Sequence, residues 1–453
     1  MIHVVDMAMG GGKTSAAITY MNEHPDQRFL YITPFLDETE RVVKACSGLR
    51  FVEPSDRIPE YRHRKREHLR ALINQGRNIS LTHALFLMID DITARAITDS
   101  GYTIIIDEVI DVFEKINESE QDINMLLEAG YIQKYGGDDE CEYFRPSEKS
   151  HGYDGVFNKF FERAQYGQIV RTSGWEDGRK IKYGFWQVNR QLFTLSDEIF
   201  ILTYMFDGMP MKGFLDSNGL KYDYIGTRKC EDGAYRFSQR GEMPSYLGHV
   251  SSMVHVCNKN SINAIGSDRS ALSSSWTKRS LADGNIALLA RHIHTYFRRH
   301  IPDGITSGQQ LWSVFKGKND EVVAEIRSKK PGGQFLEFNS KAVNCYGDRA
   351  ALAYCVNIFA DPNMVQYLRH VGVEFNEDRY AVAQMVQWIW RSRIRNGQEI
   401  WVYIPSRRMR ELFIQWMETA EEDYKKEARA AAEAACAGEA GDALEIKKHD
   451  EVV

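Results

Sequence analysis

The sequence predicts an α/β fold: two domains with parallel sheets, an insertion in the first domain, and a helical or disordered C-terminal tail. Apolar, β-branched runs alternate with amphipathic segments over residues 1–130 and again from about 250 to 410, as expected for parallel sheets covered by helices. The polar, Gly-rich segment 131–196 interrupts the first alternation, and residues 419–453 are rich in Ala, Glu and Lys. These changes predict domains at 1–235 and 236–418, followed by a tail at 419–453.

Bulk composition excludes several classes of protein. The net charge of −6 implies no general field for polyanions, so any nucleic-acid contact needs a local basic groove. The 7 cysteines show no paired short spacing, which argues against a zinc module or a disulfide framework and favours a reducing compartment. With no signal-like segment and no apolar run of membrane-spanning length, we expect a cytoplasmic protein without membrane contact.

The first elements predict a phosphate-binding loop. The segment "MIHVVD" is predicted to be a buried strand and "SAAITYMNEH" a helix, with "MAMGGGKTS" between them. Glycines let backbone amides point at phosphate oxygens, Lys13 can reach the β- and γ-phosphates, and Thr14 can hold Mg²⁺. The predicted nucleotide-binding residues are Met9, Gly10, Gly11, Gly12, Lys13, Thr14 and Ser15, and the predicted cofactors are ATP and Mg²⁺.

The next strands are expected at 28–34, 78–86 and 102–113, and the last of them runs into two acids. Asp107 is predicted to hold Mg²⁺ through water, and Glu108 to position the attacking water. Their place at the end of a β-branched strand would fix both carboxylates beside the phosphate loop.

Later segments extend the alternation. A hairpin is predicted within the insertion, at 173–186. Further strands are predicted at 197–210, 221–226, 252–257, 309–315 and 399–405, and helices at 284–300, 349–359 and 380–395.

The last of these helices carries Arg391, Arg393 and Arg395. An arginine from a second domain can stabilise the charge of a transferring phosphoryl group, and we rank Arg391 first and Arg395 second. The alternative is an amphipathic helix with its arginines in solvent.

Two other segments also have two interpretations each. The basic run at 61–70 is compatible with a nucleic-acid path or with a solvated face. The tryptophans are compatible with base stacking or, more simply, with core packing, and they are Trp388, Trp390 and Trp401.

The order of these motifs resembles that of superfamily 2 helicases, the DExD/H-box-like group with two RecA-like P-loop NTPase domains. The resemblance covers about 1–130, 197–226 and 310–410, and "MAMGGGKT" is similar to motif I of viral origin-binding helicases. Motifs Ia and Ib look like "ITP" and "LTHALF", which implies that Thr33, Pro34, Thr82 and His83 contact nucleic acid. The segments 201–208, 311–318 and 339–349 are similar to motifs III, IV and V.

The segment that resembles motif VI follows the family only in part. Gln387 and Arg391 fit the motif, but Trp390 stands in the place of a glycine and Ile394 in the place of the second arginine.

The resemblance implies an ATP-dependent nucleic-acid helicase or translocase with Lys13, Asp107, Glu108, Gln387, Arg391 and Arg395 in catalysis. DNA is favoured over RNA, and a phage origin would suit replication or recombination, with proteins of those processes as partners in the host cytoplasm. The alternatives are a nucleic-acid-stimulated ATPase that remodels or loads proteins, a packaging-type motor ATPase, and a nucleotide-binding module without turnover.

Overall fold

The computed structural model describes residues 1–34, 36–61, 64–176, 179–340 and 345–436. The predicted α/β fold class is confirmed, with two units that are each built on a sheet of mainly parallel strands. The strands are β1 (Ile2–Asp6), β2 (Arg28–Thr33), β3 (Ile79–Thr82), β4 (Tyr102–Asp107), β5 (Phe113–Lys115), β6 (Ile132–Gly137), β7 (Cys141–Pro146), β8 (Gly167–Glu176), β9 (Arg179–Val188), β10 (Ile199–Thr203), β11 (Tyr222–Lys229), β12 (Tyr235–Ser238), β13 (Val254–Val256), β14 (Gln310–Ser313), β15 (Gln334–Phe335), β16 (Ala351–Tyr354) and β17 (Ile400–Tyr403).

The helices cover both sheets and join the strands. They are α1 (Lys13–Glu23), α2 (Leu36–Ala45), α3 (Lys65–Asn74), α4 (His83–Phe86), α5 (Asp91–Asp99), α6 (Glu120–Glu128), α7 (Asn158–Ala164), α8 (Pro210–Ser217), α9 (Val250–Met253), α10 (Asn260–Asn263), α11 (Ser274–Ser280), α12 (Asn285–Arg299), α13 (Glu321–Ser328), α14 (Pro362–His370), α15 (Glu377–Ile389) and α16 (Arg407–Cys436).

The first sheet has the order β12-β11-β1-β10-β4-β2-β3, and all of its strand pairs are parallel except β11 with β12. Its central strands are apolar on both faces because helices cover both faces. Strand β10 lies between β1 and β4. Since neighbouring strands are about 4.8 Å apart, the carboxyl ends of β1 and β4 leave a gap of about two strand spacings for a ligand.

An antiparallel sheet interrupts the first unit. Its order is β5-β9-β8-β7-β6, and it runs from Phe113 to Val188, so it begins before the predicted insertion at 131. The predicted hairpin is formed by β8 and β9, although residues 177–178 lie outside the described part of the chain.

The second sheet is entirely parallel, with the order β13-β17-β16-β14-β15. The helix predicted at 349–359 is wrong, since this segment contains strand β16. Its four residues are buried between β14 and β17. Burial on both faces removes the alternation that distinguishes a strand from a buried helix, and the alanines then favoured the helix.

Two other element predictions need correction. The strand predicted at 78–86 ends at Thr82, whose hydroxyl accepts a hydrogen bond from the backbone of Leu85 and caps the short helix α4. The helix predicted at 380–395 ends at Ile389, and the three arginines follow it, in a turn and a 3₁₀ segment at Arg393–Asn396.

Both predicted domain boundaries fall within elements, the first in β12 and the second in α16. Strand β12 carries the first sheet to Ser238, three residues beyond 235. Helix α16 begins inside the predicted second domain and continues through the start of the predicted tail to Cys436. Residues 437–453 of that tail, 341–344 of the motif V segment and 62–63 of the basic run lie outside the described residues.

None of the helices in the described ranges combines the length and the apolar character of a membrane span.

Candidate nucleotide site

The phosphate loop connects β1 to α1. Gly12 precedes α1 with a φ of 79°, a left-handed conformation that suits glycine. The loop is held from outside, because the hydroxyl of Tyr246 donates a hydrogen bond to the carbonyl of Met9 (2.9 Å) and that of Thr227 to the carbonyl of Gly11. The first backbone N–H groups of α1 have no partners within the helix, so this end favours an anion.

Lys13 is the first residue of α1 and is partly buried. Its ammonium donates hydrogen bonds to the carbonyls of Met7 (2.6 Å) and Ala8 (3.3 Å). Burial lowers the pKa of Lys13, while the charges of Glu108, Asp107 and Asp6 act to raise it. The lysine ammonium therefore lies within the loop, where it is held by two backbone carbonyls and influenced by the charges of the nearby acids.

Asp107 accepts two hydrogen bonds at one carboxylate oxygen. Tyr31 donates its phenolic hydrogen to Asp107 Oδ2 (2.5 Å), and the Thr14 hydroxyl lies 3.4 Å from the same atom. A hydroxyl and a carboxylate are hard oxygen ligands of the kind that Mg²⁺ prefers, and Mg²⁺ commonly uses only one or two protein carboxylates with phosphates and water. Accordingly, no group of three His, Cys, Asp or Glu residues suited to a metal occurs in the described part of the chain.

Glu108 follows Asp107 in a strained conformation. Its φ is 64°, which is uncommon for a residue with a Cβ and typical of functional sites. Its backbone N–H donates to the carbonyl of Leu202 (3.0 Å), so strand β10 holds it in place.

The second unit contributes the opposite wall of the cleft through the end of α15 and the turn that follows. Arg391 is partly buried, which lowers the pKa of its guanidinium, and the charge of Glu108 acts in the opposite sense. Within the described residues, neither Nε of Arg391 nor Nε2 of Gln387 has a hydrogen-bond partner. Unpaired buried donors on this wall are suited to an anionic ligand.

These residues line one cleft of about 340 Å³ between the two units. All six predicted catalytic residues belong to it, and so do the predicted loop residues except Gly11, which lies within the loop. Thr33 and Pro34 also line it. Sequence reasoning missed three lining residues: Arg41 and Tyr235, which no motif marks, and Tyr204, which lies in the segment similar to motif III but carries no predicted role.

Thr82 and His83 do not line the cleft. His83 is buried, and its Nε2 lies 2.9 Å from the carbonyl oxygen of Asp107, so its ring contacts the backbone at the end of β4.

Trp388 and Trp390 are 1% and 2% exposed, which places both in the core, although Trp390 also borders the cleft. Ile394 is fully buried, so an arginine at this position would bring a charge into the core.

Comparisons with known proteins place the chain in a family. The family described as the YonV C-terminal Rossmann-like domain matches residues 248–417. Two solved structures, the S. tokodaii Xpd4 structure and one named XPD_Helicase, are each 11% identical to this chain. For the first structure the TM-score is 0.40, and the match covers 92% of this chain and 94% of the other. For the second the TM-score is 0.42, and the match covers 93% of this chain and 95% of the other. Both scores are below 0.5.

The curated relative is the SPbeta prophage-derived uncharacterized protein YonV of Bacillus subtilis (strain 168). It is 32% identical over 425 residues, which cover 92% of this chain and 98% of the relative. Similarity of this extent includes both parallel sheets and the antiparallel sheet between them. The chain therefore belongs to the YonV family.

Proposed function

We propose that the chain is an ATP-dependent motor on nucleic acid, a helicase or translocase. The observation that carries the proposal is that Gln387 and Arg391 of the second unit share one cleft with Lys13, Thr14, Asp107 and Glu108 of the first. A phosphoryl-transfer site divided between two units assembles only when they meet, so hydrolysis is coupled to their relative movement.

The cleft residues have distinct roles in this proposal. Lys13 and the amides of the loop bind the β- and γ-phosphates, and Glu108 orients the attacking water. Thr14 and Asp107 hold Mg²⁺, which when bound neutralises phosphate charge and polarises the γ-phosphoryl group. Arg391 stabilises the charge that develops on the transferring group, and Arg395 lies beside it at the mouth of the cleft.

The nucleic acid is proposed to be DNA, and the process phage replication or recombination in the host cytoplasm, with proteins of those processes as partners. This finer part is supported by the prophage-derived relative and by the motif resemblance. The net charge of −6 requires a local binding surface, and the polymer is best identified by experiment.

The test is steady-state ATP hydrolysis without nucleic acid and with single-stranded DNA, duplex DNA or RNA. We compare the wild type with Lys13→Ala and, as a matched control, Lys44→Ala on α2, whose side chain is 79% exposed. We expect one polymer to stimulate the wild type and Lys44→Ala, and Lys13→Ala to lose about 10²-fold or more. The motor proposal is wrong if the wild type never exceeds Lys13→Ala.

A further inference from the structure

Thr33 ends strand β2 next to the acidic strand. Ile32 is paired with Ile106 in the parallel ladder of β2 and β4, so the following residues, Thr33 and Asp107, lie at the same level. Thr33 is 0% exposed, its hydroxyl has no hydrogen-bond partner within the described residues, and it lines the nucleotide cleft. A buried hydroxyl that borders a cleft without a protein partner is suited to contact a water or ligand in that cleft.

The surroundings of Thr33 indicate which kind of ligand its hydroxyl would contact. Side chains two residues apart on a strand share a face, so Thr33 lies on the same face as Tyr31, whose hydroxyl donates to Asp107 Oδ2. Thr14 approaches the same carboxylate from α1. Three hydroxyl groups therefore surround the end of β4, and two of them already contact Asp107.

We propose that the Thr33 hydroxyl is a positioning group for a water bound to the divalent cation, and not a contact to nucleic acid. The inference rests on the proposed function, in which Thr14 and Asp107 hold that cation. Mg²⁺ keeps several of its waters when it binds a protein, and each such water donates hydrogen bonds that need acceptors. A threonine hydroxyl accepts one, whereas a polynucleotide would need an accessible side chain.

The proposal is tested with Thr33→Val, which preserves shape without the hydroxyl, and Thr33→Ser, which keeps a hydroxyl. The matched control is Ser80→Ala on β3, since Ser80 is also 0% exposed and its hydroxyl has no partner among the described residues, but it does not line the cleft. The probe is Mn²⁺ binding to the protein–ADP complex, followed by electron paramagnetic resonance. Affinity for single-stranded DNA and the free energy of unfolding are measured on the same preparations.

We expect Thr33→Val to weaken Mn²⁺ binding by about tenfold or more, as observed when groups behind metal ligands are removed. Its affinities for single-stranded DNA and for metal-free ADP should remain those of the wild type. Thr33→Ser and Ser80→Ala should bind Mn²⁺ as the wild type does.

Unchanged Mn²⁺ affinity in Thr33→Val overturns the inference, and a selective loss of DNA affinity would assign Thr33 to nucleic acid instead. An equal loss in Ser80→Ala would reveal a general packing effect and also overturn it. Failure of the proposed function gives a different result, namely normal Mn²⁺·ADP binding without polymer-stimulated turnover. A wild type that binds no Mn²⁺·ADP overturns both.

Discussion

Gly12 of the phosphate loop lies against the ring of Tyr235. A Cβ at Gly12 would be 2.1 Å from the Tyr235 Cδ1 atom, and the backbone there has a φ of 79°. Two independent requirements, space and a left-handed backbone, thus make glycine necessary at this position. Tyr235 comes from strand β12, so the antiparallel edge of the first sheet contributes to the shape of the loop.

Gly12→Ala should destabilise the fold by about 1–3 kcal/mol and weaken nucleotide binding, because the loop must shift away from Tyr235. Urea denaturation and equilibrium binding of ADP measure the two effects. Gly48→Ala is the control, since a Cβ there meets no heavy atom within 4 Å. Adding Tyr235→Ala to Gly12→Ala should restore part of the stability, and no restoration would contradict the steric explanation.

Arg391→Lys tests the forked geometry of the guanidinium separately from its charge. Lysine keeps the charge but cannot form paired hydrogen bonds, so we expect turnover to fall by about 10²-fold or more with ADP affinity little changed. Arg407→Lys, at a side chain that is 66% exposed, should leave both quantities unchanged. Equal losses of turnover and ADP affinity in Arg391→Lys would argue against a role in the transition state.

At the scale of elements, His3 joins three strands at the amino edge of the first sheet. Its two ring nitrogens lie 2.7 Å from Asp223 of β11 and 2.7 Å from Glu198, which precedes β10. Burial lowers the pKa of His3, but the hydrogen bonds and charges of these carboxylates outweigh it and raise the pKa above 6.5. The protonated ring therefore links the amino ends of β1, β10 and β11.

The sign of the pH dependence follows from that raised pKa. The folded state binds the proton more tightly than the unfolded state, so this contribution is complete below about pH 6.5 and is lost as pH rises through the folded-state pKa. His3→Gln should be less stable than the wild type below about pH 6.5. Above that pH its free energy of unfolding should change less with pH than that of the wild type. Urea midpoints between about pH 5.5 and 8.5 measure this; parallel curves for the two proteins would contradict it.

The antiparallel sheet has a charge network of its own. Glu142 accepts hydrogen bonds from Arg171 (2.9 Å), Lys182 (2.8 Å) and Lys134 (3.2 Å). Burial acts to raise the pKa of Glu142, but these cations lower it to about 2. Arg171 and Glu142 are 6% and 9% exposed, so the pair is held inside the sheet.

Arg171→Met should destabilise the protein by about 3–5 kcal/mol, because it leaves a buried carboxylate with weaker compensation. Lys134→Met, at the more exposed partner of Glu142, should cost less than about 1 kcal/mol. Chemical denaturation compares the two variants. Similar losses of unfolding free energy in Arg171→Met and Lys134→Met would show that burial of the Arg171–Glu142 pair does not determine its contribution to stability.

At the scale of the whole molecule, helix α16 crosses from the second sheet to the first unit. Trp416 packs edge-on against Trp390 with ring centroids 5.0 Å apart, and its indole N–H donates to the hydroxyl of Tyr204 (3.3 Å). Tyr204 and Trp390 both line the nucleotide cleft. The helix therefore links the walls of the cleft through aromatic contacts.

Trp416→Ala should cost about 3–5 kcal/mol in the free energy of unfolding, since a large ring is removed from the contact between the units. Turnover should fall as well, because Tyr204 and Trp390 lose a shared support. Ile414→Ala, on the same helix at a side chain 38% exposed, is the control for helix effects. An equal change in both variants would mean that Trp416 does not couple the units.

The sequence by itself determined the strand, glycine-rich loop and helix at residues 2–23, the acids at the end of β4 and the fold class, because each depends on local information. A strand, a glycine-rich loop and a helix are adjacent in the chain, and Asp107 and Glu108 end a run of β-branched residues. The pairing of Gln387 and Arg391 with this loop was also expected, although only from the resemblance in the order of motifs.

Only the tertiary structure decided the identity of buried segments and the environment of single side chains. Strand β16 and a buried helix have the same apolar composition, so neighbouring strands had to select between them. The motif resemblance implies a nucleic-acid contact for Thr33, whereas the ladder places this buried residue level with Asp107. Tyr235 and Trp416 reach the site from distant parts of the chain, and contacts at such separation leave no periodic pattern in the sequence.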